Sequence, residues 1–121
     1  MKGGMAVPVA PVLNRRLVLE RDDRAPDGAG GWLRQWQALG VLWGAVEPRV
    51  GREVVDGGRV EARVSHRILV RAAPEGHPAR PQAGQRLREG GRTFALRAVT
   101  EADARGRFLI CWADEGAEDG A

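Results

Sequence analysis

The stretch Val64-Ser65-His66-Arg67-Ile68-Leu69-Val70-Arg71 decides the fold. Val64, His66, Ile68 and Val70 occupy every second position, with Ser65, Arg67, Leu69 and Arg71 between them. A repeat of two belongs to a strand, whose successive side chains leave opposite faces; a helix would bring apolar residues back three and four positions on. The same alternation recurs in Gly106–Ala113, where Phe108, Ile110 and Trp112 oppose Leu109 and Cys111. Gln85–Glu89 and Arg92–Val99 flank Gly90-Gly91, a two-residue hairpin signal. Upstream, Arg15–Arg21 sets Leu17 and Leu19 against Arg16, Val18 and Glu20. Trp32–Leu39 carries Trp32, Arg34, Trp36 and Ala38 on one face, and Gly40 separates it from Val41–Glu47 with Trp43 and Val46.

Between these runs lie turn-forming segments. Pro26 and Asp27-Gly28-Ala29-Gly30-Gly31 form a turn, and Ala72–Gln82 is a connection punctuated by Pro74, Pro78 and Pro81. Pro48–Glu61 reads as one long loop with room for a single helical turn, because Gly57 and Gly58 would each cost about 1 kcal/mol inside a helix. No apolar pattern of helical period lasts beyond two turns. About six or seven short antiparallel strands in one small domain give an all-β fold, a small β-barrel or sandwich. Its expected interior is Leu17, Leu19, Trp43, Val46, Ile68, Val70, Leu87, Phe94, Leu96 and Ile110. The expected organisation is a flexible N-terminal extension over 1–12, the barrel over 13–113 and an acidic flexible tail over 114–121.

With 121 residues and 43% hydrophobic content, the chain is sized for one domain with its own core. No apolar run is long enough to span a bilayer, and Met1–Leu13 lacks the sustained apolar centre of a signal peptide, so a soluble intracellular protein is expected. The nineteen cations are all Arg except Lys2. Four of the sixteen acids, Asp114, Glu115, Glu118 and Asp119, crowd the last residues, leaving residues 1–112 at a net +7. Such asymmetry admits a polyanion or an acidic protein surface as partner, although dispersed arginine is also what an arginine-preferring genome writes.

Catalytic chemistry finds little support. His66 and His77 are eleven residues apart, in no metal spacing and beside no nucleophile. His66 reads as a partly buried strand residue, His77 as an exposed loop residue, and Cys111 as an inert packed thiol. A single cysteine excludes an internal disulfide. Gly28, Gly30 and Gly31 precede a strand rather than opening a helix, so they cradle no phosphate. No enzyme activity, cofactor or metal is expected. A monomeric nucleic-acid-binding barrel is the competing reading, but it needs exposed aromatic platforms, and here Tyr is absent and Phe occurs twice.

An ordered series of local patterns carries a resemblance. It comprises Leu13-Asn14-Arg15-Arg16-Leu17-Val18-Leu19-Glu20, Pro26-Asp27-Gly28-Ala29-Gly30-Gly31, and Trp36, Leu39-Gly40 and Leu42-Trp43. It continues through Gly51-Arg52-Glu53, Ser65-His66-Arg67-Ile68-Leu69-Val70-Arg71, Gln85-Arg86-Leu87-Arg88-Glu89-Gly90, Phe94, Ala98-Val99, and Arg107 to Cys111. Over residues 13–115 the chain resembles the phage head–tail joining (head-closure, or stopper) proteins of long-tailed phages. It looks most like the head–tail adaptor/stopper carried by alphaproteobacterial gene transfer agents. Gly57-Gly58 departs from that family's helical reading after Gly-Arg-Glu, and Met1–Val12 is a longer extension than usual.

The resemblance implies a structural protein of the neck of a virion-like particle, assembled in the bacterial cytoplasm. It implies a homo-oligomeric ring of about six copies, with about twelve as the alternative. The neighbours implied are the adaptor and portal on one side, tail terminator or other tail proteins on the other, and packaged double-stranded DNA in the channel. A tail-completion or terminator protein is a related alternative. The candidate channel loop carries Arg49, Arg52, Glu53, Asp56, Arg59 and Glu61, three cations against three acids, either as a gate or as a docking loop for a neighbouring ring. Candidate ring or partner contacts are Trp32, Trp36, Asp27 and Arg80.

Overall fold

The computed structural model describes residues 11–116. Along the chain run β1 (Arg15–Asp22), β2 (Ala25–Pro26), β3 (Trp32–Leu33), β4 (Trp36–Val54), β5 (Val60–Arg71), β6 (Arg86–Glu89), β7 (Arg92–Glu101) and β8 (Phe108–Glu115), with one 3-10 turn at Asp56–Gly58. Six of the strands close an antiparallel barrel in the order β1–β4–β5–β8–β7–β6, while β2 and β3 form a separate two-stranded hairpin. The fold is all-β, as the alternation requires.

Alternate side chains fill the barrel. Leu17 and Leu19, Ile68 and Val70, Leu87, Phe94 and Leu96, and Leu109, Cys111 and Ala113 make one buried cluster, each such large apolar residue contributing about 1.5–3 kcal/mol. Gly44 marks the closest approach of backbone to core. It pairs with Arg15 on one side and Val70 on the other, and a Cβ there would lie 2.9 Å from the Leu69 carbonyl oxygen and 3.0 Å from Leu17 Cδ1. A second cluster of Leu69, Ala102, Phe108 and Ile110 lies on the opposite face of β5 and β8, with Leu13, Ala45 and Trp112 packed against it.

Several expectations are corrected by strand parity. Trp43 is not in the core: Leu42, Gly44 and Val46 face inward, so Trp43 points outward and is 53% exposed. Side-chain size favours an interior tryptophan, but parity overrules size. Ile110 is buried, yet it belongs to the outer cluster, and its neighbours Leu109 and Cys111 face the barrel interior. Trp32–Leu39 is not one strand, since Trp32–Leu33 pairs with Ala25–Pro26 while β4 starts at Trp36 and runs through Gly40 without a break. The register with β1 shifts there, Leu19 facing Gly40 and Glu20 facing Ala38, which makes Leu39 the extra residue of a bulge. Pro48–Glu61 is mostly strand, described below. At the C-terminus β8 runs on through Asp114 and Glu115, and the rest of the expected acidic tail lies outside the described residues, as does most of the expected N-terminal extension.

The barrel is completed by a short seam. β1 meets β6 through only three pairs, Val18 with Arg88, Leu19 with Leu87 and Glu20 with Arg86. Glu20, 5% exposed, accepts hydrogen bonds from Arg86 Nε at 2.7 Å and Arg88 Nε at 2.9 Å. Arg86 also stacks 4.2 Å over the Trp36 ring, and Arg34 stacks 5.1 Å from its centroid while bonding Asp22. At the other end of the seam Arg15 grips both carboxylate oxygens of Glu89. Burial pushes the Glu20 carboxyl up, but the two guanidinium hydrogen bonds and charges outweigh it and hold the group below its usual range. The Arg15 hydrogen bond likewise lowers Glu89.

Depressed carboxylates contribute stability above the unfolded-state value near 4.3 and lose it as pH falls through the lower folded value. Chemical denaturation should therefore show stability steady from about pH 7 to 5 and falling below about pH 4.3, with a shallower fall in Glu20→Gln. Glu20→Ala, which removes the buried carboxylate that Arg86 and Arg88 both bond, should cost about 2–3 kcal/mol at pH 7. Gly44→Ala should destabilise by about 1–3 kcal/mol through overpacking, read as a lower urea midpoint at unchanged slope.

Candidate functional site: a projecting two-stranded arm

Pairing with β1 uses β4 only as far as Gly44, and pairing with β8 uses β5 only from His66 onward. The remainder of both strands pairs with each other alone, from Arg49 opposite Ser65 to Val54 opposite Val60. Six residues per strand at about 3.3 Å each make an arm projecting on the order of 20 Å from the barrel. Its tip is closed by the Asp56–Gly58 turn, in which Gly57 and Gly58 both take positive φ (82° and 77°) and Val55 N–H bonds the Arg59 carbonyl at 2.8 Å. Consecutive left-handed residues are what a tight hairpin turn demands. The Gly-Gly step that argues against a helix is thus a turn signal, and Val50, Val54, Val60 and Val64 are the alternation that marks the flanking strands.

The arm has two unlike faces. One is polar and internally paired: Arg63 donates to Glu53 at 2.8 Å and to Asp114 of β8 at 2.9 Å, Arg97 of β7 also reaches Asp114 at 2.8 Å, and Arg67 bonds Glu47 at 3.0 Å. Looser pairs join Arg49 to Glu47 and Arg59 to Glu61. Exposed pairs of this kind contribute about 0–1 kcal/mol each, so they orient the arm more than they stabilise it. The other face continues the barrel's inward-facing rows past the end of the barrel. Val50 sits opposite Val64 and Val54 opposite Val60, with Arg52 and Ala62 between them, and the four valines are 52–75% exposed. Among the candidate channel residues, Arg49, Glu53 and Glu61 thus lie on the polar face, Arg52 on the valine face, and Asp56 and Arg59 at the tip.

The other candidates separate by what they already do. Asp27 Oδ1 accepts from the N–H groups of Ala29 and Gly31 at 2.7 and 2.9 Å, which fixes the β2–β3 turn, and these bonds hold its carboxyl below the usual range. Arg80 donates to the Ala73 carbonyl at 2.8 Å and ties the Ala72–Gln82 connection to itself. Trp36 is contacted by two guanidinium groups, those of Arg34 and Arg86. Trp32, by contrast, is 67% exposed beside Leu33 and is available to a partner. A further apolar groove of about 450 Å³, which the sequence reading does not anticipate, is lined by Pro11, Leu13, Val41, Leu42, Trp43 and Arg71.

Reactive groups stand apart from these surfaces. His66 is buried at the arm's base, edge-on to Phe94 with ring centroids 5.1 Å apart and 3.6 Å from Glu115. Burial pushes the Cys111 thiol up to about 12, which leaves it protonated and unreactive at neutral pH. Among the described residues no group of three His, Cys, Asp or Glu side chains converges as a metal site.

Residues 9–116 match the family model described as phage head completion protein. A solved structure described as the virion of a native gene transfer agent particle contains a chain 44% identical to this one, covering 86% of this chain and 94% of that one, at a TM-score of 0.69. No curated protein matches the chain. The agreement over nearly the whole barrel and arm means that this chain belongs to the phage head completion protein family.

Proposed function

We propose that the chain is a non-enzymatic building block of the neck of a tailed-phage particle or gene transfer agent, where it acts as a stopper between head and tail. Copies close into a ring below the portal and adaptor, the arms narrow the DNA channel, and the tail docks on the opposite rim. The observation that carries this reading is the arm, whose polar face is already paired within the molecule while its valine face continues the core pattern into solvent.

Physical chemistry favours obstruction over clamping. Affinity for a DNA backbone comes from cations that displace counterions. The six charged candidates over 49–61 cancel, and Arg49, Arg59 and Arg63 each have an acid nearby. An arm of this composition fills a lumen sterically without holding the phosphates, so DNA passes once the arms move aside. A ring needs unlike faces that fit each other head to tail. Exposed Trp32 and Leu33 on the β2–β3 hairpin, and the arginine-rich barrel wall, supply surfaces suited to such contacts and to the adaptor, portal or tail proteins.

Replacing residues 52–62 by a two-residue Asn-Gly turn shortens the arm while leaving Gly51 opposite Arg63. The purified variant should unfold within about 1 kcal/mol of the parent, because the deleted valines lie outside the barrel core, with Val54 and Val60 71% and 55% exposed. Particles assembled with it should incorporate the protein in the neck yet lose most of their nuclease-protected DNA. Particles that keep their DNA would refute the gating role, and particles that lack the protein in the neck even with the full-length chain would refute the stopper assignment altogether.

A further inference from the structure

We propose that Asp56, at the tip of the arm, is a site of spontaneous covalent modification, where the side chain closes a cyclic imide on the Gly57 nitrogen and reopens as an isoaspartyl linkage. The inference is independent of the head–tail reading.

An Asp-Gly step offers this chemistry the least resistance, because glycine has no side chain to keep the preceding carboxyl from its nitrogen. Two such steps lie among the described residues, Asp27-Gly28 and Asp56-Gly57, and a third, Asp119-Gly120, lies outside them. Gly28 and Gly57 share a φ of 82°, and a Cβ on either would meet nothing within 4 Å. Backbone and space therefore do not tell the two apart. The carboxyl groups do.

The Asp27 carboxylate is already engaged. Its Oδ1 accepts from the N–H groups of Ala29 and Gly31 at 2.7 and 2.9 Å, and a Cβ on Gly31 would lie only 2.6 Å from its Oδ2. To reach the Gly28 nitrogen it must first give up both hydrogen bonds. The same bonds hold the carboxyl below its usual range, which keeps it ionised, the form from which oxygen leaves poorly. Asp56 is the opposite case. It is exposed together with Gly57 and Gly58, and among the described residues its carboxylate has no hydrogen bond or ion pair. The two backbone bonds of the tip, Val55 N–H to the Arg59 carbonyl and Gly58 N–H to the Val55 carbonyl, bypass the Gly57 N–H, which has no acceptor. Nucleophile and electrophile are adjacent, and neither is tied to anything else.

The steps need only water. The Gly57 nitrogen attacks Asp56 Cγ and loses its proton to solvent, while the hydroxyl of the protonated carboxyl leaves as water. A second water then adds to the main-chain carbonyl of Asp56. The bond from that carbon to the Gly57 nitrogen breaks, and the chain continues through the former side-chain carbonyl, with a free carboxylate as before. Charge and mass are unchanged, but the backbone is one carbon longer. A tip so lengthened no longer sets Val55 N–H 2.8 Å from the Arg59 carbonyl, and the adjoining Val54–Val60 pair opens.

The test incubates the full chain for several weeks near neutral pH, once folded and once in guanidinium chloride, before tryptic digestion. Cleavage at arginine puts Asp27 in Ala25–Arg34, Asp56 in Glu53–Arg59 and Asp119 in Phe108–Ala121, so each position is read separately. Isoaspartate is scored by electron-transfer fragmentation and by methylation with a protein isoaspartyl methyltransferase. In the denatured chain positions 27 and 56 should convert together. In the folded chain position 56 should convert at a comparable rate while position 27 stays unconverted. Asp56→Glu keeps the charge but needs a larger imide ring, and it should abolish methylation of Glu53–Arg59. A folded chain that protects position 56 as well as position 27, or that converts the two equally, would overturn the proposal.

Discussion

A β-barrel escapes the liability of exposed strand edges only when its last strand finds its first. Here that meeting is narrow, three residue pairs between β1 and β6, and the side chains around it do what backbone pairing cannot. Glu20 is bonded by Arg86 and Arg88, Arg86 stacks on Trp36, and Arg34, which also contacts that ring, returns to Asp22 of β1. The chain of contacts therefore begins and ends on the same strand. Burying a carboxylate is costly when it stands alone; placed between two guanidinium groups it becomes a registration device that fixes how β6 lies against β1. The core, the arm and the outer groove all presuppose that this closure holds.

How much of this was legible in the sequence follows from what each signal encodes. Alternation identifies β1, β5 and β8, and Gly90-Gly91 marks the turn that joins β6 to β7. Eight of the ten expected interior residues, Leu17, Leu19, Ile68, Val70, Leu87, Phe94, Leu96 and Ile110, are buried. Alternation states that two faces differ without saying which is inside when both carry large apolar groups, as in Phe108–Trp112. That ambiguity misassigned the face of Ile110, and a preference for burying bulk misassigned Trp43. The clamp at Glu20 was illegible for another reason: its partners lie more than sixty residues away, and nothing local distinguishes a buried glutamate from a solvated one. The arm was legible in principle. Val50, Val54, Val60 and Val64 keep strict strand spacing on either side of Gly57-Gly58, but polar residues between them give the stretch the composition of a loop.

Within the proposed function, the two faces of the arm divide the work. A face neutralised by its own ion pairs is indifferent to the polyelectrolyte it would meet, while a valine face has water as its only company until something covers it. Family membership and the likeness to a chain of a gene transfer agent particle agree with a role built on surfaces, in which the buried His66 and Cys111 serve packing.

Asp114 gives the arm a mechanical connection. It receives Arg63 from the arm and Arg97 from β7, so a load applied at the hairpin tip is passed into the β7–β8 wall, and β7 is the strand that pairs with β6 beside the narrow junction with β1. The brace of the arm and the joint that closes the cylinder are thus separated by a single strand, β6. A thrust against the arm therefore travels toward the joint whose parting would open the whole molecule, and the Glu20 clamp is what meets it there.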